Sequence, residues 1–176
     1  MTDETLFQQM KEGDDGAFRS LYARLRDPLF RFGYRLTGST ETAEDMVHEA
    51  FLGLFRGGFD SSRASLRTYL YAAMRNQARK RFRDAGREEP GDVEYSDDQA
   101  GPLDVLLNFE TGEQVRLAIS ALPLSQQEAL ILFAYQELSL EEIARIVEAE
   151  VGAVKARLHR AREGLRKSLQ AREVAK

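Results

Sequence analysis

The 176-residue chain contains no cysteine and only two histidines, His48 and His159. Without cysteine there is no disulfide framework and no thiolate zinc site, and two histidines make a histidine metal site an unpromising expectation. No apolar run approaches the roughly 20 residues that a membrane span needs, and the N-terminal MTDETLFQQM lacks the apolar core of a signal peptide. No membrane insertion and a cytoplasmic location are therefore expected. Also missing are a glycine-rich phosphate loop, a pair of convergent carboxylates and a nucleophile–base arrangement, so neither catalysis nor a cofactor is expected. What is present is 43% hydrophobic and 31% charged residues, the composition of a folded chain with one ordinary domain or two small ones.

The net charge of −4 suits a nucleic-acid binder poorly until it is divided by segment. Residues 61–87 hold 8 Lys/Arg against 1 Asp/Glu, and residues 151–176 hold 8 against 2. Between them, residues 88–113 hold 9 Asp/Glu and no Lys/Arg. Two basic blocks flank an acidic connector, and local fields rather than totals govern contact with phosphate.

Helical periodicity dominates the chain. Leu6, Phe7 and Met10 start a short pattern that stops at Gly13, and Asp14 or Asp15 is placed to cap the next one. Phe18, Leu21, Tyr22 and Leu25 share a face until Pro28, which is expected to interrupt or restart the helix, and Gly38 ends it. Ser39 or Thr40 then caps a regular helix with Ala43, Met46, Val47, Ala50, Phe51, Leu54 and Phe55 on one side. Its polar side, Glu44, Asp45, His48 and Glu49, is either solvent surface or a docking face. After Gly57 and Gly58 a loop leads to the helix of residues 65–83, with Leu66, Tyr69, Leu70, Ala73, Met74 and Ala78 as its core stripe. Aromatic rings beside Arg67, Arg75, Arg79, Lys80, Arg81 and Arg83 suit single-stranded nucleic acid, since bases stack on rings while cations track the backbone. A core tyrosine inside a solubilised helix explains the same residues, and the pattern does not choose.

From Ala85 to Asn108 the composition turns acidic and is punctuated by Pro90, Gly91, Gly101 and Pro102, as in a flexible linker. Four short helices are expected after it. Val115, Ala118, Ile119 and Leu122 mark the first, and Ala129, Leu130, Leu132 and Phe133 the second. The third opens with Ser139 and Glu142 as a capping box and Leu138 with Ile143 as a hydrophobic staple. A turn at Glu148–Glu150 leads to the fourth, whose stripe is Val151, Val154, Leu158, Ala161 and Leu165. His159, Arg160 and Lys167 project away from that stripe, with Lys155 and Arg157 on its flanks. This is the pattern of a helix-turn-helix with a basic recognition helix, although a basic terminal helix can also be plain solvated surface.

In its whole order the chain resembles the small bacterial sigma factors of the extracytoplasmic-function group, of the sigma-70 type. GDDGAFRSLYARL, AEDMVHEAFLGLF and SLRTYLYAAMRNQARKRFR carry the likeness in the first half. ALPLSQQEALILF, LSLEEIARI and VGAVKARLHRAR carry it in the second. The resemblance implies an all-α fold with two small helical domains, 1–87 and 111–172, joined by the linker 88–110. It implies that Glu44, Asp45, Val47, His48, Glu49 and Phe51 lie in the helix that binds the β′ clamp helices of RNA polymerase core. The stretch from Phe59 to Arg83, with Tyr69, Arg75, Asn76, Arg79, Lys80 and Arg83, corresponds to the part that melts the −10 promoter element and captures its exposed strand. Lys155, Arg157, His159 and Arg160 correspond to major-groove contacts at the −35 element, and the second domain to a contact with the β flap. An anti-sigma factor is a further partner that the family admits. The chain departs from the usual pattern at Tyr69 (commonly Trp), Lys80 (Asp), His48 (Gln), Gln127 (Arg), Glu148 (Gly) and Ala153 (Thr). A rival reading, from the helix-turn-helix alone, is a signalling adaptor or regulator that does not bind core polymerase.

Overall fold

The computed structural model describes residues 1–86 and 112–174, so the acidic connector expected at 88–110 lies outside the described residues. Among those described there are eight α-helices and no strand. They are α1 (Asp3–Lys11), α2 (Asp15–Thr37), α3 (Thr40–Phe55), α4 (Leu66–Asp84), α5 (Gly112–Ser120), α6 (Leu124–Ala134), α7 (Leu140–Val147) and α8 (Val151–Val174). The fold is all-α, and the chain divides into two compact units, Met1–Arg81 and Phe82–Lys176.

Local chemistry sets the helix ends of the first unit. Asp14, not Asp15, caps α2, its carboxylate accepting from the N–H groups of Gly16 (2.9 Å) and Ala17 (3.1 Å). Ser39, not Thr40, caps α3 by accepting from Thr42 N–H at 3.1 Å. Gly38 closes α2 at φ 71°, a left-handed conformation that glycine adopts without a Cβ clash. Pro28 does not interrupt α2, contrary to the expectation. Its ring removes one backbone hydrogen bond, at a cost of about 3 kcal/mol. Leu21, Leu25, Leu29 and Phe32 are all buried on either side of it, and each such burial contributes about 1.5–3 kcal/mol. Tertiary packing therefore carries the helix through the proline.

The core of this unit lies between α2, α3 and α4, where Phe32 meets Tyr71 edge-on with ring centroids 5.4 Å apart. Some expected core positions change, Ala73 of α4 being only half-buried. Tyr71 is the fully buried ring of α4, whereas Tyr69 is only half-buried. Phe55, expected on the buried stripe of α3, is 54% exposed because the helix ends there.

In the second unit α8 packs against α5, α6 and α7. Gln127 ties the α5–α6 turn by donating to the carbonyls of Ser120 (3.3 Å) and Leu122 (2.7 Å). Ser139 caps α7 as its sequence requires, accepting from Glu142 N–H at 3.1 Å, while Leu138 and Ile143 of the staple are buried. The fourth helix is not short. α8 runs for 24 residues, anchored by Val154, Leu158, Ala161, Leu165 and Leu169.

Candidate nucleic-acid interface

On α3 the six candidate residues separate into two groups. Glu44, Asp45, His48 and Glu49 are exposed, whereas Val47 and Phe51 are each 3% exposed. Val47 and Phe51 fall three and four residues from other core positions and hold the helix in place, and Val47 also reaches the floor of the groove beside the strip. Beside the exposed strip lies a groove of about 330 Å³, lined also by Tyr22, Arg26 and Phe30 of α2. The Arg26 guanidinium stands 3.9 Å from the Glu44 carboxylate and 5.7 Å from the Phe30 ring centroid. A hydrogen bond to Asp27 raises its pKa further above an already high value. These three α2 residues were not anticipated, although their four-residue spacing, one face of a helix, was there to be read.

The loop 56–65 and α4 hold the second set. Tyr69 stacks obliquely on Phe59 at 5.5 Å, and Phe59 meets Phe7 of α1 edge-on at 5.1 Å. Gly53 and Gly58 leave room for the Tyr69 hydroxyl, since a Cβ on either would crowd it. Burial raises the pKa of that phenol. The ring is thus neither a core residue nor an open platform, and one row of aromatic contacts includes it. Asn76, Lys80 and Arg83 are exposed and Arg79 is half-buried. Arg75, by contrast, is 8% exposed. It lies four residues after Tyr71 and three before Ala78, on the core stripe, so it offers little to an incoming strand. In the loop, Ser62 donates to the Asp60 carboxylate from its N–H (2.9 Å) and its hydroxyl (2.7 Å). These bonds hold the Asp60 carboxyl below its usual pKa.

The helix-turn-helix is α7, a tight turn and α8. Glu148 makes the turn at φ 54°, ψ 48°, its N–H donating to the Ala144 carbonyl. Lys155, His159 and Arg160 are half-buried on α8, and His159 Nδ1 lies 3.4 Å from Arg162 Nη2. Arg157 corrects the expectation of a flank position, being 9% exposed. Three residues beyond Val154 and four before Ala161, it belongs to the inward stripe, which a long aliphatic stem can join. The structure thus brings Lys155, His159 and Arg160 towards one surface and leaves Arg157 out of it. Among the described residues no helix is long and apolar enough to cross a membrane, and no cluster of His, Cys, Asp and Glu could hold a metal.

Two family models match the chain, sigma-70 region 2 over residues 21–88 and sigma-70 region 4 over residues 112–165. The chain is 32% identical to the ECF RNA polymerase sigma factor SigW of Bacillus subtilis, over 93% of this chain and 94% of that one. It is 30% identical to the ECF RNA polymerase sigma-E factor of Escherichia coli K12, over 97% and 95%. Among solved structures it is similar to CnrH in complex with the cytosolic domain of CnrY, with a TM-score of 0.71, 25% identity and coverage of 96% and 97%. It is also similar to the sigma factor RpoE in complex with the anti-sigma factor NepR from Bartonella quintana, with a TM-score of 0.61, 26% identity and coverage of 87% and 96%. With both regions present in order and the sigma-factor relatives aligned over nearly its whole length, nothing is left for the adaptor reading to explain. The chain belongs to the extracytoplasmic-function sigma factors of the sigma-70 family, non-enzymatic subunits that bind RNA polymerase core and direct it to promoters.

Proposed function

We propose a division of that task among three helical surfaces. The exposed strip Glu44, Asp45, His48 and Glu49, with the groove against α2, docks on the β′ clamp helices of core polymerase. Loop 56–65 and the outer face of α4 (Tyr69, Asn76, Arg79, Lys80, Arg83) melt the −10 element and hold its exposed strand. Lys155, His159 and Arg160 of α8 enter the major groove at the −35 element, and the unit around them touches the β flap. These roles correspond to a sigma-2-like domain over 1–87, a connector over 88–110 and a sigma-4-like domain over 111–172. The protein works in the cytoplasm, with core polymerase, and an anti-sigma factor sequesters it there. The RpoE relative bound to NepR supports that last partner.

The observation that carries this division is the sorting of charge by helix. α4 presents Lys80, Arg81 and Arg83, α8 carries Lys155 and Arg160, and the exposed charges on the middle of α3 are acidic. Phosphate contacts need the first two, and a basic or polar partner surface suits the third. Reversing Asp45 and Glu49 together to Lys leaves the helical circular dichroism intact and abolishes core binding in a pull-down, while −35 duplex binding persists. Core affinity unchanged by the double reversal rejects the α3 surface.

A further inference from the structure

We infer that α1 is the buttress of the strand-capturing loop, with Glu4 and Phe7 as positioning residues for loop 56–65. The inference rests on the proposed role of that loop and α4 in holding the −10 strand. α1 lies outside the sigma-70 region 2 match, which begins at residue 21.

Three contacts make the buttress. Asp3 anchors α1 to α2, its carboxylate accepting from Arg24 Nη1 at 2.8 Å, and the same nitrogen donates to the Met1 carbonyl at 2.9 Å. At the next residue, Glu4 Oε1 accepts from the N–H of Leu66 at 3.2 Å. Leu66 is the first residue of α4, so its N–H has no partner within the helix. Ser65 caps the neighbouring donor, Thr68 N–H, at 3.1 Å. A carboxylate from a distant helix therefore adds a second cap at the start of α4, where the helix dipole favours negative charge. Phe7 supplies the third contact, its ring edge-to-face on Phe59 at 82°. Phe59 is thereby held between Phe7 and Tyr69.

The loop has other bonds, Gly58 N–H donating to the Gly53 C=O of α3 at 3.1 Å and, within the loop, Arg63 N–H to Asp60 C=O at 3.1 Å. The first bond holds the start of the loop to the end of α3, and the second shapes its middle. Phe59 and Leu66, within the loop and just past its end, add further ties, and α1 touches both. A loop ordered before the strand arrives loses less conformational entropy on binding. Removing either contact should therefore weaken strand capture without touching the docking face on α3.

The test uses holoenzyme assembled from the full chain and a fluorescent single-stranded oligonucleotide, carrying the −10 sequence selected by wild-type holoenzyme from a random pool. Glu4→Ala and Phe7→Ala should each weaken its binding about fivefold, the scale of one lost helix cap. Glu4→Gln, which keeps an acceptor oxygen, should restore it to within about twofold of wild type. Core affinity and −35 duplex affinity should stay at wild-type values in all three. Wild-type oligonucleotide binding by Glu4→Ala overturns the inference, and so does an equal loss of core affinity, which would mark α1 as general scaffolding. Asn76→Ala with Lys80→Ala separates the two levels of argument. If that pair leaves oligonucleotide binding unchanged, the proposed strand surface is wrong; if it weakens binding and Glu4→Ala does not, only the buttress fails.

Discussion

Glu148 sits at φ 54° in the turn of the helix-turn-helix, a conformation that costs an L-residue about 1–2 kcal/mol. Glycine removes that cost but loses about 0.5–1 kcal/mol more chain entropy on folding. Glu148→Gly should therefore stabilise the second unit by up to about 1 kcal/mol, a rise of a few degrees in its melting midpoint. Glu148→Ala keeps the Cβ and should show no such rise in thermal circular dichroism. An alanine variant melting as high as the glycine variant would exclude the backbone as the source. The departure from glycine was legible in the sequence, since a turn after Val147 needs this geometry whatever residue fills it. Arg75 and Arg157 were less legible. Their spacing put them on the stripes of Met74 and Val154, but their charge argued for the surface, and residue type outweighed period. Counting by threes and fours alone would have placed both inward.

Helix ends were the most legible elements, because a cap is a contact between residues two or three apart. Ser139 needed only its neighbours to be recognised, and for α2 and α3 the neighbours narrowed the cap to two adjacent residues, of which Asp14 and Ser39 serve. Continuity through Pro28 and the exchange of Tyr69 for Tyr71 were not legible, since both depend on what lies across the core. The same limit applies to the groove beside Glu44, half of which comes from α2. For α8 the sequence supplied the exposed face but not the contacts, and the helix makes a specific prediction. Lys155 and Arg160 are half-buried on its outer side. If Arg160 reads a base edge, Arg160→Ala should cost about 1–3 kcal/mol at one −35 position and relax the preference there. If Lys155 holds only phosphate, Lys155→Ala should weaken binding evenly across sequences and shallow the salt dependence. Binding measured over a panel of −35 variants checks both, and wild-type behaviour of Arg160→Ala on the whole panel removes α8 Arg160 from the interface.

At the scale of the whole chain the governing quantity is the distribution of charge rather than its sum. Residues 88–113 carry 9 acidic groups and no basic one, between blocks with 8 Lys/Arg each, at 61–87 and 151–176. A segment tethered between two basic surfaces meets them at a high effective concentration, because the contact is intramolecular. A segment that occupies those surfaces must be displaced by DNA before a promoter can be held, whereas a solvated tether presents no such barrier. Replacing Glu88, Glu89, Asp92, Glu94, Asp97 and Asp98 by Gln or Asn should therefore tighten binding of the free protein to −35 duplex. The comparison that isolates competition is neutralisation of Asp3, Glu12 and Asp15, which alters net charge from outside the connector. The connector variant should gain more affinity per charge removed than this control, and the difference should shrink as salt screens it, with a Debye length of about 10 Å at 0.1 M. Equal gains per charge at low salt would mean that only net charge matters. A connector gain that survives high salt would also count against competition, because two opposed charged surfaces cannot hold one another through a screened solution.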